Sequence, residues 1–339
     1  MKKTAVVILN WNGKKFLEKF LPSVIEHSSN VADIVIADNA STDDSITFLK
    51  NTYPQLSIIQ NEQNGGFAKG YNDALKQIDA EYYVLLNSDI EVTPHWIEPV
   101  IELMDSDQNI AACQPKLRSY YEKEKFEYAG GAGGFIDKYG YPFCRGRIFD
   151  TLETDNGQYN DTCEIFWATG ACMFVKASIY HRLGGLDEDF FAHMEEIDLC
   201  WRMKNKGYKI MYCAGSTVYH VGGGTLPKSS PFKTYLNFRN NIALLYKNLP
   251  KGKLISVFAL RFPLDGIAAV KFMLDGSFQD LWAVARAHFY FYTHHKTIKR
   301  KRKMLVQQKV SCVYDQLLLI PYYLKKKKVF NQLDKRKFQ

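Results

Sequence analysis

Short apolar runs at residues 4–9, 33–37, 57–60 and 82–86 have strand length and a high β-branched and aromatic content. That composition predicts strands buried on both faces of a sheet. Between them the apolar positions change period. Phe16, Leu17, Phe20, Leu21, Val24 and Ile25 recur at helical spacing within residues 14–26. Ser41 or Thr42 is placed to cap a helix through Leu49, and a further helix runs on to Ile78. Strands alternating with helices at this spacing predict a doubly wound, mostly parallel α/β sheet. Ligands of such sheets bind beyond the carboxyl ends of the strands, so the residues after each apolar run matter most for function.

Past Ile110 the pattern loosens. The run Gly130-Gly131-Ala132-Gly133-Gly134 is followed by no helix-forming stretch, which predicts a close-packed or flexible connection rather than a phosphate loop. Residues 165–175 predict a strand pair or bend with Gly170 at the break, and Ser178 starts a short helix. A longer helix is expected from Glu195 to Lys206, stopped by Gly207, with a strand at 209–212. From Leu236 the spacing is helical. Leu254 to Leu274 is apolar but carries Arg261, Asp265, Lys271 and Pro263. A spanning helix needs about 20 apolar residues with few charges, so an interfacial or core helix is expected.

The chain has 339 residues, 46% hydrophobic and 24% charged, the balance of an ordinary globular protein. Its seven cysteines show no C-x-x-C spacing, and the apolar stretch after Lys3 ends at Asn10, short for a secretory signal. Reduced thiols in a cytoplasmic protein are expected. The net charge of +8 is concentrated in Lys296 to Lys303 and Lys325 to Lys328, each preceded by aromatic residues. That pairing fits the anionic inner surface of a membrane; nucleic acid is disfavoured because no recognition module accompanies the charge.

The strand ends carry polar side chains instead of a phosphate-loop signature. G-x-G-x-x-G is missing after the first strand and G-x-x-x-x-G-K-[ST] throughout, which disfavours dinucleotide and P-loop folds. In their place stand Asn10 and Asn12, Asp38 and Asn39, Asn64 and Lys69, and Asp89. A single carboxylate such as Asp89 suits a cation that also takes oxygens from a diphosphate. Asp38 can accept from a pyrimidine N–H and Lys69 can face a phosphate; capping and solvation explain each equally well taken alone. Glu195, Glu196 and Asp198 open a helix beside Phe190, Phe191 and Trp201. They either complement the helix dipole or supply a general base whose proton affinity is raised by burial and like charge. His220 is either a satisfied core histidine or a ligand for a metal such as manganese.

The order of these signals resembles the family 2 glycosyltransferases with the GT-A fold, in particular the bacterial rhamnosyltransferase-like group. The matching stretches are Val7 to Gly13, Ala37 to Asp43, Asn64 to Asn72, Leu85 to Asp89, Thr169-Gly170, Phe190-Phe191, Glu195 to Arg202 and His220. The resemblance implies a GT-A domain over residues 1–240, with 241–339 a helical, membrane-associating extension. It implies an inverting, metal-dependent transfer of a hexosyl or deoxyhexosyl group from a dTDP-, UDP- or GDP-linked donor to a hydroxyl of a lipid-linked cell-surface glycan. Asn10, Trp11, Asn12, Asp38, Asn39, Asn64, Gly66, Lys69, Asn87, Ser88, Thr169 and Gly170 would bind the nucleotide sugar. Asp89 and His220 would hold Mn2+ or Mg2+. Glu196 would be the catalytic base, with Glu195 and Asp198 as the other carboxylates open to that role. Two departures stand out: Asn87 occupies the first D-x-D position, and Glu196 is one methylene longer than the family's aspartate. Two other readings compete, a sugar nucleotidyltransferase and a non-catalytic membrane scaffold that retains the fold.

Overall fold

In a computed structural model, residues 2–222 and 230–339 are described. Gly223, Gly224 and Thr225, which close the last motif, lie outside them. The first part of the chain folds in the predicted order: β1 (Thr4–Asn10), α1 (Lys14–Ser28), β2 (Ala32–Asp38), α2 (Ser45–Thr52), β3 (Ser57–Gln60), α3 (Gly66–Leu75) and β4 (Tyr82–Asn87). Next come β5 (Ile90–Val92), α4 (Glu98–Ser106), β6 (Ile110–Ser119), β7 (Gly134–Asp137), β8 (Pro142–Cys144), β9 (Arg147–Ile148), β10 (Thr151–Leu152), β11 (Cys163–Ile165), β12 (Cys172–Lys176), α5 (Ala177–Arg182), α6 (Glu195–Lys204) and β13 (Lys209–His220). The chain ends with α7 (Pro231–Asn248), α8 (Leu254–Leu274), α9 (Phe278–Thr293), α10 (His295–Met304) and β14 (Val313–Tyr314).

The central sheet runs β11-β13-β6-β12-β4-β1-β2-β3, with β5 paired to β13. Neighbours β4, β1, β2 and β3 are parallel, and β12 is antiparallel to both β4 and β6, so the sheet is mixed. Alternation along the buried strands sorts the core. Val6, Ile8, Ile36, Val84 and Leu86 join Leu17, Leu21 and Val24 of α1 in one cluster, while Val7, Ala37 and Leu85 join Tyr71 and Ala74 of α3 in the other. Register then aligns the chemistry. Asn10 lies opposite Asp38 and Leu9 opposite Asn87, so three strands end together at one edge of the sheet.

A second sheet, β10-β9-β8-β7-β14, holds the glycine-rich run. That run is close-packed: a Cβ on Gly134 would lie 2.2 Å from the Trp167 ring. The boundary expected between residues 240 and 241 lies within α7, and the chain beyond it forms the expected C-terminal helical region. β14 pairs with β7, and buried Asp137 accepts from the Leu318 N–H at 2.8 Å. All seven cysteines are free thiols, as expected. Among the described residues no helix is long and apolar enough to cross a membrane.

Candidate active site

On the β1–β3 side the crevice is lined by amides that hold one another. Asn10 Nδ2 donates to Asp38 Oδ1 at 2.9 Å and to Ser41 Oγ at 3.1 Å, while the Ser41 N–H donates to Asp38 Oδ2 at 2.9 Å. Asn12 Oδ1 accepts from the Thr42 N–H at 2.7 Å, which ties the first turn to the second. Asn39 Nδ2 reaches Asn64 Oδ1 at 2.9 Å and the Gly66 carbonyl at 3.0 Å, and Asn64 Oδ1 also accepts the Gly66 N–H. Asp38, expected to meet a base, is buried and braces the loop; each of its oxygens keeps a further lone pair. Trp11 stands exposed at the lip.

Two expectations on this side are corrected. Lys69 does not face the crevice through an open helix end: its ammonium pairs with Asp73 at 2.5 Å, one turn along α3. The first N–H groups of α3 are already taken, since Phe67 and Ala68 both donate to the Phe191 carbonyl at 2.7 and 3.2 Å. Only glycine fits at Gly66, where φ is +73° and a Cβ would sit 2.6 Å from that carbonyl. Thr169 is likewise internal. Its N–H donates to Gln114 Oε1 and its hydroxyl accepts from the Ala171 N–H, so it shapes the turn before β12.

At the end of β4, Asn87 and Ser88 are half-buried and Asp89 is buried. Pairing of β5 with β13 sets His220 opposite Ile90 and brings His220 Nε2 to 3.2 Å from Asp89 Oδ1. On its other side His220 Nδ1 lies 3.3 Å from Oε2 of Glu127, a buried carboxylate on the loop after β6. Sequence reasoning missed Glu127. It sits in the run Glu122 to Glu127, whose lysines make it look like a solvated charged surface, and its partner is far along the chain. Burial opposes the charge on His220, but the Glu127 and Asp89 carboxylates raise its pKa to about 10. Asp89 resists desolvation and is held below its ordinary value by His220.

Among the described residues no cluster of three or more His, Cys, Asp or Glu is arranged to hold a metal. Asp89 and His220 still fit a pair of ligands to one ion. Neighbouring ligands of an octahedral cation at about 2.1 Å lie roughly 3 Å apart, close to the observed separation. The remaining positions would fall to donor oxygens, and Glu127 would hold the imidazole ring in place.

Opposite this group, the loop before α6 bends sharply. Phe191, His193 and Met194 all have positive φ (63°, 68° and 73°), and none is glycine. Such residues cost about 1–3 kcal/mol each and persist only where the surroundings impose them. Here α7 imposes them. The Asn240 amide donates to the carbonyls of Phe190, Ala192 and His193 at 2.7–2.9 Å, and Arg239 donates to those of Asp189 and Phe190 at 2.8 Å. Asn72 of α3 holds the preceding turn through Leu186. The loop delivers Glu195 and Glu196 to the start of α6 with Oε2 of each buried and without a hydrogen-bond partner. Desolvation pushes Glu196 up to about 7, against the pull of nearby backbone N–H groups. Glu195 is driven well above the usual carboxylate range by burial and by Glu196.

The third carboxylate is not a candidate base. Asp198 is 0% exposed and fully engaged, with Arg202 Nε at 2.7 Å, Lys247 Nζ at 2.8 Å and Asn248 Nδ2 at 2.8 Å. Desolvation is outweighed by Lys247 and Arg202, which hold it ionised and acidic. It anchors α6 to α7. The turn before β12 lies between the two chemical groups: the Asn87 N–H donates to the Ala171 carbonyl at 2.9 Å, and a Cβ placed on Gly170 would lie 3.7 Å from Glu196 Cβ. The crevice thus sets a lone carboxylate with near-neutral proton affinity across one short turn from a candidate cation pair.

A mixed sheet with this strand order and a polar crevice at its carboxyl edge is the GT-A glycosyltransferase architecture. GalNAc-T7, solved with UDP, GalNAc and Mn2+, superposes with a TM-score of 0.59 at 17% identity, covering 87% of this chain and 58% of that one. S. aureus TarS 1-349 in complex with UDP-GlcNAc gives 0.54 at 15% identity, covering 89% and 90%. By sequence, an N-acetylglucosaminyl-diphospho-decaprenol L-rhamnosyltransferase of Mycobacterium tuberculosis is 24% identical over 230 residues, 63% of this chain and 75% of that protein. The profile of glycosyl transferase family 2 matches residues 5–184, and the chain belongs to that family. It is a glycosyltransferase, which sets aside both the nucleotidyltransferase and the non-catalytic scaffold.

Proposed function

We propose that this enzyme transfers a sugar from a nucleotide-diphosphate donor, with inversion, to a hydroxyl of a lipid-linked cell-surface glycan, working at the cytoplasmic face of the membrane with a divalent cation. The observation that carries this reading is Glu196: a half-buried side chain whose Oε2 is buried without a partner and whose pKa desolvation pushes up to about 7, near the turn that leads to Asp89 and His220. Asn10, Trp11, Asn12 and Asp38 would line the nucleoside pocket, with Asn39, Asn64 and Gly66 fixing its floor and Asn87, Ser88 and Gly170 toward the sugar. Asp89 and His220 would hold Mn2+ or Mg2+, which neutralises the diphosphate as it leaves. Ligation requires neutral imidazole, so binding there releases a proton from His220.

In the reaction the acceptor hydroxyl oxygen forms a bond to the anomeric carbon while the bond from that carbon to the diphosphate oxygen breaks. The hydroxyl proton passes to Glu196, the electron pair leaves with the diphosphate, and the anomeric centre inverts because attack and departure are on opposite faces. Glu195, kept neutral, can donate a hydrogen bond rather than compete for the proton. The M. tuberculosis relative's name, with its diphospho-decaprenol acceptor, supports a lipid-linked acceptor and rhamnosyl transfer. GalNAc-T7 with UDP and Mn2+ supports the donor class and the metal.

Thermal stabilisation by UDP, dTDP and GDP, each with and without Mn2+, tests the donor site. A nucleotide at 100 times its dissociation constant adds about 2.7 kcal/mol. Stabilisation by one nucleotide that needs Mn2+ and disappears in Asp89→Ala is the expected result. No stabilisation by any of them would defeat the proposal.

A further inference from the structure

Helix α8 is built inside out. Its two strongly buried charged residues, Arg261 (4% exposed) and Asp265 (1%), face inward and pair with each other at 2.8 Å, and Asp265 also meets His288 of α9. Its exposed positions are largely apolar: Ile255 is 86% exposed, Ile267 65%, Val270 50% and Leu274 77%, with Ser256 and Lys271, the latter paired with Asp275, the polar ones among them. Helix α9 has an ordinary apolar inner face of Ala283, Val284, Ala287 and Phe291, yet it also exposes Phe278 (67%), Trp282 (63%) and Phe289 (69%). A helix packed on a protein core in water ordinarily turns polar side chains outward, and exposed apolar patches of this kind mark a contact surface.

The charge around this face selects the occupant. Residues 250–339 carry 19 Lys and Arg against 5 Asp and Glu, whereas residues 1–249 carry 25 against 31. Exposed Lys251 and Lys253 precede the apolar stripe, placed to reach anionic headgroups as the apolar side chains sink below them, while Arg286 on α9 lies over the Tyr235 ring. A second copy would bring the same positive flanks together. Of the basic runs singled out from the sequence, Lys296, Lys299, Arg300, Lys303, Lys325 and Lys326 are exposed and add to this charge, while three residues are engaged within the fold. In α10, Lys301 pairs with Asp187 and Asp189, and Arg302 donates to the Tyr246 carbonyl. Lys328 lies over the Tyr322 ring, which is itself buried.

We propose that the outward face of the α8–α9 hairpin lies in the interface of an anionic bilayer, flat rather than spanning, and is the element that docks the enzyme on its membrane. The proposal deepens the membrane-peripheral reading above and rests on it. Docking through α9 also bears on catalysis, because α9 packs along α7, the helix whose Arg239 and Asn240 hold the catalytic loop.

The test is flotation of the full chain with vesicles of phosphatidylcholine and phosphatidylglycerol at 7:3, comparing wild type with the Ile267→Asp/Phe289→Asp variant. Both positions are exposed, so the fold should survive, and an unchanged Tm together with unchanged nucleotide binding verifies this. The expected result is a partition coefficient at least tenfold lower in the variant, with a blue-shifted Trp282 emission in the wild type that a Trp282→Phe control removes. Equal binding of variant and wild type would overturn the surface while leaving a membrane-bound enzyme, attached elsewhere. No binding of the wild type would overturn both. Concentration-dependent dimerisation in solution, lost in the variant, without vesicle binding would assign the face to a second copy and overturn the proposal too.

Discussion

On the β1–β3 side of the crevice, Asn10, Asp38, Asn39, Ser41 and Asn64 satisfy one another, and positive φ falls at isolated residues, Asn12, Ala40 and Gly66. Its unpaired buried side-chain atoms, Asn10 Oδ1 and Asn61 Oδ1, are neutral amide oxygens. Across the crevice, the 191–194 loop packs three positive-φ residues into four positions and ends on two carboxylates with orphan oxygens. The first side is a preformed mould, in which order comes from local pairing. The second is a loaded loop whose order is imported from α3 and α7. Binding needs groups that do not move, whereas general base catalysis needs a carboxylate kept short of partners so that its proton affinity stays high.

The sharpest way to break the loaded side is Glu196→Gln. It keeps shape and burial but removes the base, so kcat should fall about 10²–10⁴-fold with donor affinity little changed. The wild-type rate should rise with pH through about 7 as Glu196 loses its proton, and the variant should lose that limb. Stability gives an independent sign. Because the folded pKa lies above the ordinary 4.5, the folded state binds the extra proton more tightly, and stability is lost as pH rises from about 4.5 through about 7. Glu196→Gln should therefore raise Tm at pH 8 and leave it nearly unchanged at pH 4. A variant no more stable than wild type at pH 8 would mean that Glu196 is not strained by burial.

Next in size is the Asp89–His220 pair proposed to hold the cation. Glu127→Gln keeps a hydrogen-bond acceptor for His220 but removes a charge, and metal affinity in the presence of nucleotide should drop about 10–100-fold. Mn2+ titration followed by electron paramagnetic resonance reads this directly. Unaltered affinity would reduce Glu127 to a structural partner.

Asn240→Ala tests whether the loop's order is imported. The Ala192 and His193 carbonyls lose their donor while Phe190 keeps Arg239, for an expected loss of about 1–3 kcal/mol by chemical denaturation. The catalytic rate should fall while the nucleotide-induced Tm shift persists, because the amide web on the other side makes no use of α7. Loss of both together would show that the two sides are not independent.

The parallel half of the sheet was legible because buried strands and amphipathic helices write their periods locally, and strand ends such as Asn10, Asp38 and Asp89 follow from them. The position of Glu195 and Glu196 at the start of α6 was readable for the same reason: acidic residues beside Phe190 and Phe191 are visible in one window. What depends on distant partners was not. Asp198 looks like its neighbours until Lys247 and Arg202 are placed around it. Glu127 looks solvated until β13 brings His220 to it. A break at 240 would divide α7, which serves both parts at once, holding the 190–193 loop through Asn240 and pairing with α6 through Lys247 and Asn248.

The smallest expected effect sharpens the mould itself. Lys69 has a charge suited to a diphosphate, yet its ammonium is committed to Asp73, and the helix end it was expected to guard is stoppered by the Phe191 carbonyl. An exposed i,i+4 pair is worth at most about 0.5 kcal/mol, so Lys69→Met should hardly change Tm. If the mould is preformed as drawn, with Asn39 and Asn64 fixing the loop and Lys69 outside it, nucleotide affinity should also stay nearly constant. A tenfold loss would show that the ion pair with Asp73 opens when the donor arrives. The binding side would then hold one moving part of its own, and the contrast with the catalytic loop would be one of degree.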